Sequence, residues 1–506
     1  MIRAWPVADV VAAEQVLLSQ GRDLMAIASW GLARRCAAEL RRSRGRISGA
    51  EVLLLVGAGN NGGDALHAGA LLRARGVAVT ALLVADRAHQ PGLAALRAAD
   101  GRVVQLRDDP ESATHGLTLL ARADLAIDGI LGIGGRGALR GPAALLASDG
   151  SRPRLVVACD LPSGLDADTG MIAGPVLSAD VTVTFGVAKP GLLLPPGDAV
   201  CGDIEVVDLG LDLCDADTAV ARWQLDDAAA TWPWPRRTAD KYSRGVLGVM
   251  AGSPAYPGAG VLAASAAVAA GAGMVRYAGD LAVAREVVRA APEVVPDPLP
   301  GTGRVQAWLV GPGLDPADPA AADLVNGVLD RLRAAPDLPA VVDAGALVAV
   351  ASAAAAATLP NPARLLLVPH AGELAAMLIA LGTRVDRTAV TAEPARWVRA
   401  AATLTGATVL LKGATTLVGG AAGRVITTAS GPAWLATAGS GDTLAGIAGA
   451  LLAAGVAPGP AAATAALVHG HAGRLASGRS PADGPVRAGA LVATIARAIA
   501  ELRAII

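Results

Sequence analysis

Along most of this chain a short apolar run gives way to a glycine-bearing turn with one or two polar side chains, and then to a helical stretch. Residues 10–46 carry helical periodicity through Val10, Val11, Leu17, Leu18, Leu24, Met25, Ile27 and Leu32, and end in an Arg-rich segment. The run EVLLLV over 51–56 predicts a buried strand, followed at once by Gly57-Ala-Gly59-Asn60-Asn61-Gly62-Gly63-Asp64 and a helix through Leu72. The pattern continues over 77–84 and 93–99, and strands are predicted over 125–130, 155–158, 179–191 and 202–209. Residues 212–240 break it, being charged, Pro-bearing and without a clear period. It resumes with strands over 246–251, 308–310, 340–342, 365–368 and 409–411. Strands alternating with helices imply parallel sheets covered on both faces, so the expected class is α/β with two doubly wound domains. The expected division is residues 1–220, a linker over 221–238, and residues 239–506.

Composition narrows this picture. A chain of 506 residues exceeds what one core usually supports, which agrees with two domains of about 200 to 280 residues. The 43 basic and 44 acidic residues nearly cancel, which argues against nucleic acid or a membrane surface as partner and for a small molecule. Four cysteines lie far apart with no CxxC, so neither a disulfide frame nor a zinc site is expected, and a reducing cytoplasm fits. The mean hydropathy of +0.47 reflects Ala, Gly and Pro more than Leu or Phe, and runs such as 443–468 read as buried layers rather than membrane spans. Ala-rich helices and balanced charge permit a homo-oligomer without specifying one. Only Lys189, Lys241 and Lys412 are lysines, so nearly every cation is Arg. A surviving lysine marks a place where a compact ammonium is worth more than a planar fork.

In open parallel sheets the carboxyl ends of strands gather at one edge, where ligands bind. Asn60, Asn61, Asp64, Asp128, Asp160 and Ser163 all fall at such ends and should converge. Their hard oxygens suit an alkali or alkaline-earth cation better than zinc. Gly57, Gly59 and Gly62 satisfy G-x-G-x-x-G with Asp86 at the ribose distance, but Asp64 would oppose a pyrophosphate on that helix end. Lys189 follows a strand, and a site role is as reasonable for it as a surface one. Trp232 and Trp234 are expected to pack against a domain.

In the second half, ATAGSGDTLAG centres on Gly439-Ser440-Gly441-Asp442 before a small-residue helix. Backbone amides at a glycine turn and helix start make a phosphate seat. An acid there would repel a resting phosphate, so Asp442 reads as a general base for a hydroxyl that attacks one, or else as a simple helix cap. Lys412, with Gly413 and Thr415, is a phosphate-side cation. His370, after Pro369 and before Glu373, is a ligand contact or a structural hydrogen bonder. His469 and His471, two apart on a helix, are weak as metal ligands.

These motifs, in this order and over nearly the whole chain, resemble the bifunctional NAD(P)HX repair enzymes, in which a Rossmann-like epimerase is fused to an ADP- or ATP-dependent dehydratase of the ribokinase-like class. The first half is similar through VGAGNNGGD, the Asp128 loop and DLPSGLD, the second through PHAGE, LKGATT and ATAGSGDTLAG. The resemblance implies that Asn60, Asn61, Gly62, Gly63, Asp64, Gly132, Ile133, Gly134, Gly135, Arg136, Gly137, Ala138 and Asp160 hold hydrated NADH or NADPH. It also implies potassium at Asn61, Asp128 and Ser163, with Asp160 or Lys189 moving protons. In the second half it implies Ala259, Gly313, His370 and Asp442 at the substrate. Lys412, Gly413, Ala414, Thr415, Thr416, Gly439, Ser440 and Gly441 would then hold ADP or ATP, with Mg2+. Three departures stand out: Asp240-Lys241 where His-Lys is usual, Gly345 where Asp343-Ala would precede a second Asp, and Ala26 where an acid is common. Two other readings compete: a vitamin-precursor alcohol kinase, which would leave a stable phosphate ester, and a first domain that binds without turnover.

Overall fold

A computed structural model describes residues 1–148, 150, 152–215, 218–297, 303–429, 431–478 and 483–505. Two compact units are present, Arg3–Val220 and a second made of Met1–Ile2 with Ala221–Ile506.

The chain opens with a short strand β1 (Ile2–Ala4), and the first unit then begins with the helices Val7–Ser19 and Leu24–Arg44. Then follow β2 (Glu51–Val56), β3 (Ala78–Leu83), β4 (Arg102–Gln105), β5 (Leu125–Gly129), β6 (Val156–Cys159), β7 (Val181–Phe185) and β8 (Asp203–Val207). Their order in the sheet is β4-β3-β2-β5-β6-β7-β8, and every pairing is parallel. On β2, Val52, Leu54 and Val56 enter one core with Leu32, Leu40 and Leu66, while Leu53 and Leu55 enter another with Leu120 and Leu146. Both faces are buried, which is why the strand reads as an unbroken apolar run.

The helical pattern over 10–46 is two helices. Gly21 turns the chain at φ +77°, and Asp23 caps the second helix by accepting from Ala26 N at 3.0 Å. The edge strand β4, sequence RVVQ, escaped the sequence reading because its ends are exposed and it presents no apolar run.

The second unit contains β9 (Val220–Arg222), β10 (Val246–Met250), β11 (Met274–Tyr277), β12 (Val295–Pro296), β13 (Ala307–Val310), β14 (Ala340–Val342), β15 (Leu365–Leu367), β16 (Thr408–Leu411), β17 (Thr416–Gly419) and β18 (Val425–Thr428). From β12 the order runs β12-β11-β10-β13-β14-β15-β16, all parallel, and then β17 and β18 add antiparallel. The doubly wound expectation holds for the parallel part; the antiparallel extension was not anticipated. Within the stretch expected as linker, Val220–Arg222 is a strand and Leu225–Thr231 a helix, closed by a reciprocal Gln224–Asp227 cap. Trp232 joins the core and Trp234 donates from its indole to Ala229 O at 2.9 Å, so both pack as expected. No helix among the described residues is long and apolar enough to cross a membrane.

Candidate active sites

In each sheet the chain winds outward from a central pair of strands, β2 and β5 in the first unit and β10 and β13 in the second. Loops diverge at such a pair and leave a crevice beyond the strand ends. Residues 60–64 follow β2 and Asp128 lies on β5, whereas Asp160 and Lys189 follow β6 and β7, and His370 and Lys412 follow β15 and β16.

In the first unit Asn60 is exposed at the start of the helix Asn60–Arg73, while Asn61, Gly62, Gly63 and Asp64 are buried in its first turn. Side chains there would not fit. A Cβ at Gly62 would lie 2.3 Å from Gly57 O, and one at Gly57 2.0 Å from Ile130 O. Asp128, wholly buried, accepts from Ser163 Oγ at 2.6 Å, Ser163 N at 2.8 Å and Ile130 N at 3.3 Å. It has no ion pair among the described residues, and burial raises its pKa despite the Ser163 hydrogen bonds. Asn61 Nδ2 and Asp64 Oδ1 are buried without a hydrogen-bond partner. Gly132 abuts the Asn61 side chain, whereas Gly134, Arg136 and Gly137 lie exposed on the surface, with Ile133, Gly135 and Ala138 half-buried beside them.

Asp160 takes a left-handed backbone, φ +65°, that non-glycine residues seldom adopt. Lys189 accounts for it: its ammonium donates to Asp160 Oδ1 at 2.6 Å, Phe185 O at 2.9 Å and Thr184 Oγ1 at 3.0 Å. All three protons are engaged, and the side chain is 1% exposed. Thr184 Oγ1 donates to the same Asp160 oxygen, leaving Oδ2 without a hydrogen bond among the described residues. Glu14, passed over in the sequence, completes the group. Burial raises its pKa, Lys189 opposes this and Asp160 adds to it. Asp64 is pushed well up by burial, then by Asp160 and Glu14. Lys189 thus faces two acids, Asp160 and Glu14, and both of these press on Asp64.

In the second unit the two central loops touch: Gly252 N donates to Pro312 O at 2.7 Å, and a Cβ on Gly313, φ +67°, would lie 2.6 Å from that of Ala259. Gly439, φ +85°, precedes the helix Ser440–Ala453, whose first turn has no side-chain cap. Lys412 closes the site from the turn between β16 and β17. Its Nζ lies 2.7 Å from Asp343 Oδ1, 3.5 Å from Glu373 Oε2, and 3.5 Å from where a Cβ on Gly441 would be. Burial works to lower the lysine pKa, but Asp343 and Glu373 outweigh it and raise it. Asp442 has no hydrogen bond among the described residues; burial, then Asp343, raise it to about 6. Gly413 and Ala414 are exposed, Thr415 buried, and Thr416 begins β17.

Four sequence features resolve structurally. His370 caps its own helix, its Nδ1 accepting from Gly372 N and Glu373 N, both at 3.1 Å, with its Nε2 3.4 Å from Glu373 Oε1 and the side chain 60% exposed. Lys241 is a surface residue over the Tyr242 ring. A Cβ at Gly345 would lie 2.0 Å from Leu314 O, so the Gly345 departure accompanies a close approach of two loops. Asp240 holds a surface turn by accepting from Tyr242 N and Ser243 N, each at 2.8 Å.

The bifunctional NAD(P)H-hydrate repair enzyme Nnr of Mycobacterium leprae (strain TN) is 43% identical over 504 residues, covering 98% of this chain and 99% of its own. The chain belongs to the bifunctional NAD(P)H-hydrate repair enzyme family. A further member, from Moorella thermoacetica (strain ATCC 39073 / JCM 9320), is 35% identical over 86% of this chain and 84% of its own. The NAD(P)H-hydrate epimerase of Clavibacter sepedonicus is 48% identical over 42% of this chain and 93% of its own. Residues 21–191 match the family model for the YjeF-related protein N-terminus, and residues 247–495 that for NAD(P)H-hydrate dehydratase. A solved ADP/ATP-dependent NAD(P)H-hydrate dehydratase from Bacillus subtilis is similar over 56% of this chain and 99% of its own, at 24% identity and a TM-score of 0.48. In this family the two sites divide the work, so the kinase reading and the binding-only reading of the first half are set aside.

Proposed function

We propose that the first unit interconverts the R and S forms of hydrated NADH and NADPH, and that the second dehydrates the S form at the expense of ADP or ATP. The observation that carries the second assignment is Asp442, half-buried, free of hydrogen bonds among the described residues and raised to about 6, at the mouth of an uncapped helix start. A carboxylate so placed is a better base than an ordinary aspartate and is still ionised at neutral pH. It takes the proton of the ring hydroxyl, and the hydroxyl oxygen attacks the terminal phosphorus of the nucleotide, breaking its bridging P–O bond and releasing AMP from ADP or ADP from ATP. The amides of residues 439–441 and Lys412 hold the phosphoryl charge. Loss of phosphate, pushed by the ring nitrogen, leaves an iminium, and loss of a proton from the adjacent ring carbon then restores the double bond. Mg2+ would arrive on the nucleotide phosphates, since no three His, Cys, Asp or Glu side chains among the described residues converge to hold a metal.

In the first unit the free Oδ2 of Asp160 is the base, and Lys189 positions it, having no proton left to give and no access to a ligand. Potassium suits Asn61, Asp128 and Ser163. Among the described residues Asp128 is a buried carboxylate met only by neutral donors, and a monovalent cation would supply the countercharge that none of their side chains provides. When bound, the cation would hold the loop ends together and neutralise that carboxylate.

The test is recovery of nicotinamide absorbance from purified hydrated NADH epimers with ADP or ATP. Both epimers should be consumed by the intact protein. Asp442→Asn should lose dehydration by about 10³-fold while epimerisation continues. If both activities fall together, the division of labour is wrong.

A further inference from the structure

Beneath the first turn of the helix Ser440–Ala453 lies His469, on the helix Pro458–Ser477, buried and without a part in the chemistry above. Its Nε2 is 2.9 Å from the Ser440 carbonyl oxygen and 3.1 Å from Ser440 Oγ. A carbonyl oxygen only accepts, so Nε2 carries the hydrogen and donates. Thr443 Oγ1 donates to the same carbonyl at 2.6 Å. Burial lowers the imidazole pKa to about 4, so the ring is neutral wherever the enzyme works.

The Ser440 carbonyl and the Gly441 N–H belong to one planar trans peptide and point in opposite directions. Pinning the carbonyl on His469 and Thr443 therefore aims the Gly441 N–H away from them, at the open start of the helix, and Lys412 Nζ stands 3.5 Å from where a Cβ on Gly441 would be. Donors on a carbonyl also polarise its amide and make the N–H a stronger donor. We propose that His469 is a positioning residue for dehydration, orienting and polarising the Ser440–Gly441 peptide so that its N–H grips the terminal phosphate of the nucleotide. The inference rests on the phosphate-seat reading of residues 439–442 and extends it to a side chain behind the seat.

His469→Ala, His469→Gln and Thr443→Val in the full chain test it, with calorimetric affinities for ATP and AMP, dehydration kinetics, and epimerisation as an internal control. His469→Ala should weaken ATP about 10-fold and leave AMP within about twofold, because AMP lacks the terminal phosphate; this corresponds to one hydrogen bond to a charged group. Its dehydration kcat should fall by about 10- to 100-fold. Gln, which keeps a donor, should restore most of the loss, and Thr443→Val should show the same pattern more weakly even if His469→Ala folds poorly. Equal loss of ATP and AMP affinity with a lowered Tm, or unchanged ATP affinity in a folded variant, overturns the proposal. Asp442→Asn separates the levels. If that variant still dehydrates, the phosphate seat itself is misread; if it is dead while His469→Ala behaves as the parent, only the His469 role falls.

Discussion

Lys189 and Lys412 are each held by an aspartate, 2.6 and 2.7 Å away, yet they do different things. Lys189 is 1% exposed with every proton engaged inside the first unit, so its charge is spent on keeping Asp160 in a strained backbone. Lys412 keeps 20% of its side chain open and stands beside Gly441, so its charge is presented to whatever enters. The same ion pair is a clamp where it is sealed and a ligand contact where one side is left open. Exposure, rather than pairing, separates the two roles.

Removing the clamp should have the larger effect. Lys189→Met leaves Asp160 buried without its partner, and the first unit should lose about 3–5 kcal/mol of stability in denaturant unfolding, together with epimerisation. A well-folded, epimerising variant would make Lys189 dispensable. Lys412→Gln also leaves the buried Asp343 without its cation, so some stability should go with it, and dehydration should fall about 10- to 100-fold, mainly through KM for the nucleotide. A KM change confined to the hydrated dinucleotide would put the lysine on the wrong substrate.

The smallest effect is on pH. With Asp442 raised to about 6, the base is lost as pH falls, so the dehydration rate should drop below about pH 6. Asp343 is the second cause of that shift, after burial, so Asp343→Asn should move this acid limb to lower pH by a fraction of a unit. Movement in the other direction would mean that Asp343 acts chiefly by holding beside Asp442 the Lys412 charge that lowers it.

Much of this was legible in the chain because a parallel sheet buries both strand faces. Val52 through Val56 therefore announce β2, and the polar residues that follow must lie at the ligand edge. Asp128 and Ser163 were placed at one edge on that reasoning and share a 2.6 Å hydrogen bond, while the Asn61 side chain lies against Gly132. What escaped were features with no pattern of their own: β4 at an edge, and the antiparallel β17 and β18. Glu14 also escaped, because only the fold turns its helix toward Lys189. Its one signal was a lone acid in an apolar helical stretch. His469 was considered as a metal ligand, a role its spacing excludes. Its contact with a backbone carbonyl on another helix cannot be read from residue types.

The most direct test of phosphoryl capture by the ring hydroxyl follows the oxygen. Hydrated NADH labelled with 18O at that hydroxyl should, on turnover with ATP or ADP, deliver the label into the inorganic phosphate released. Label found in water instead, with unlabelled phosphate, would mean that the hydroxyl leaves without ever bonding to phosphorus, and the role given to Asp442 would be wrong.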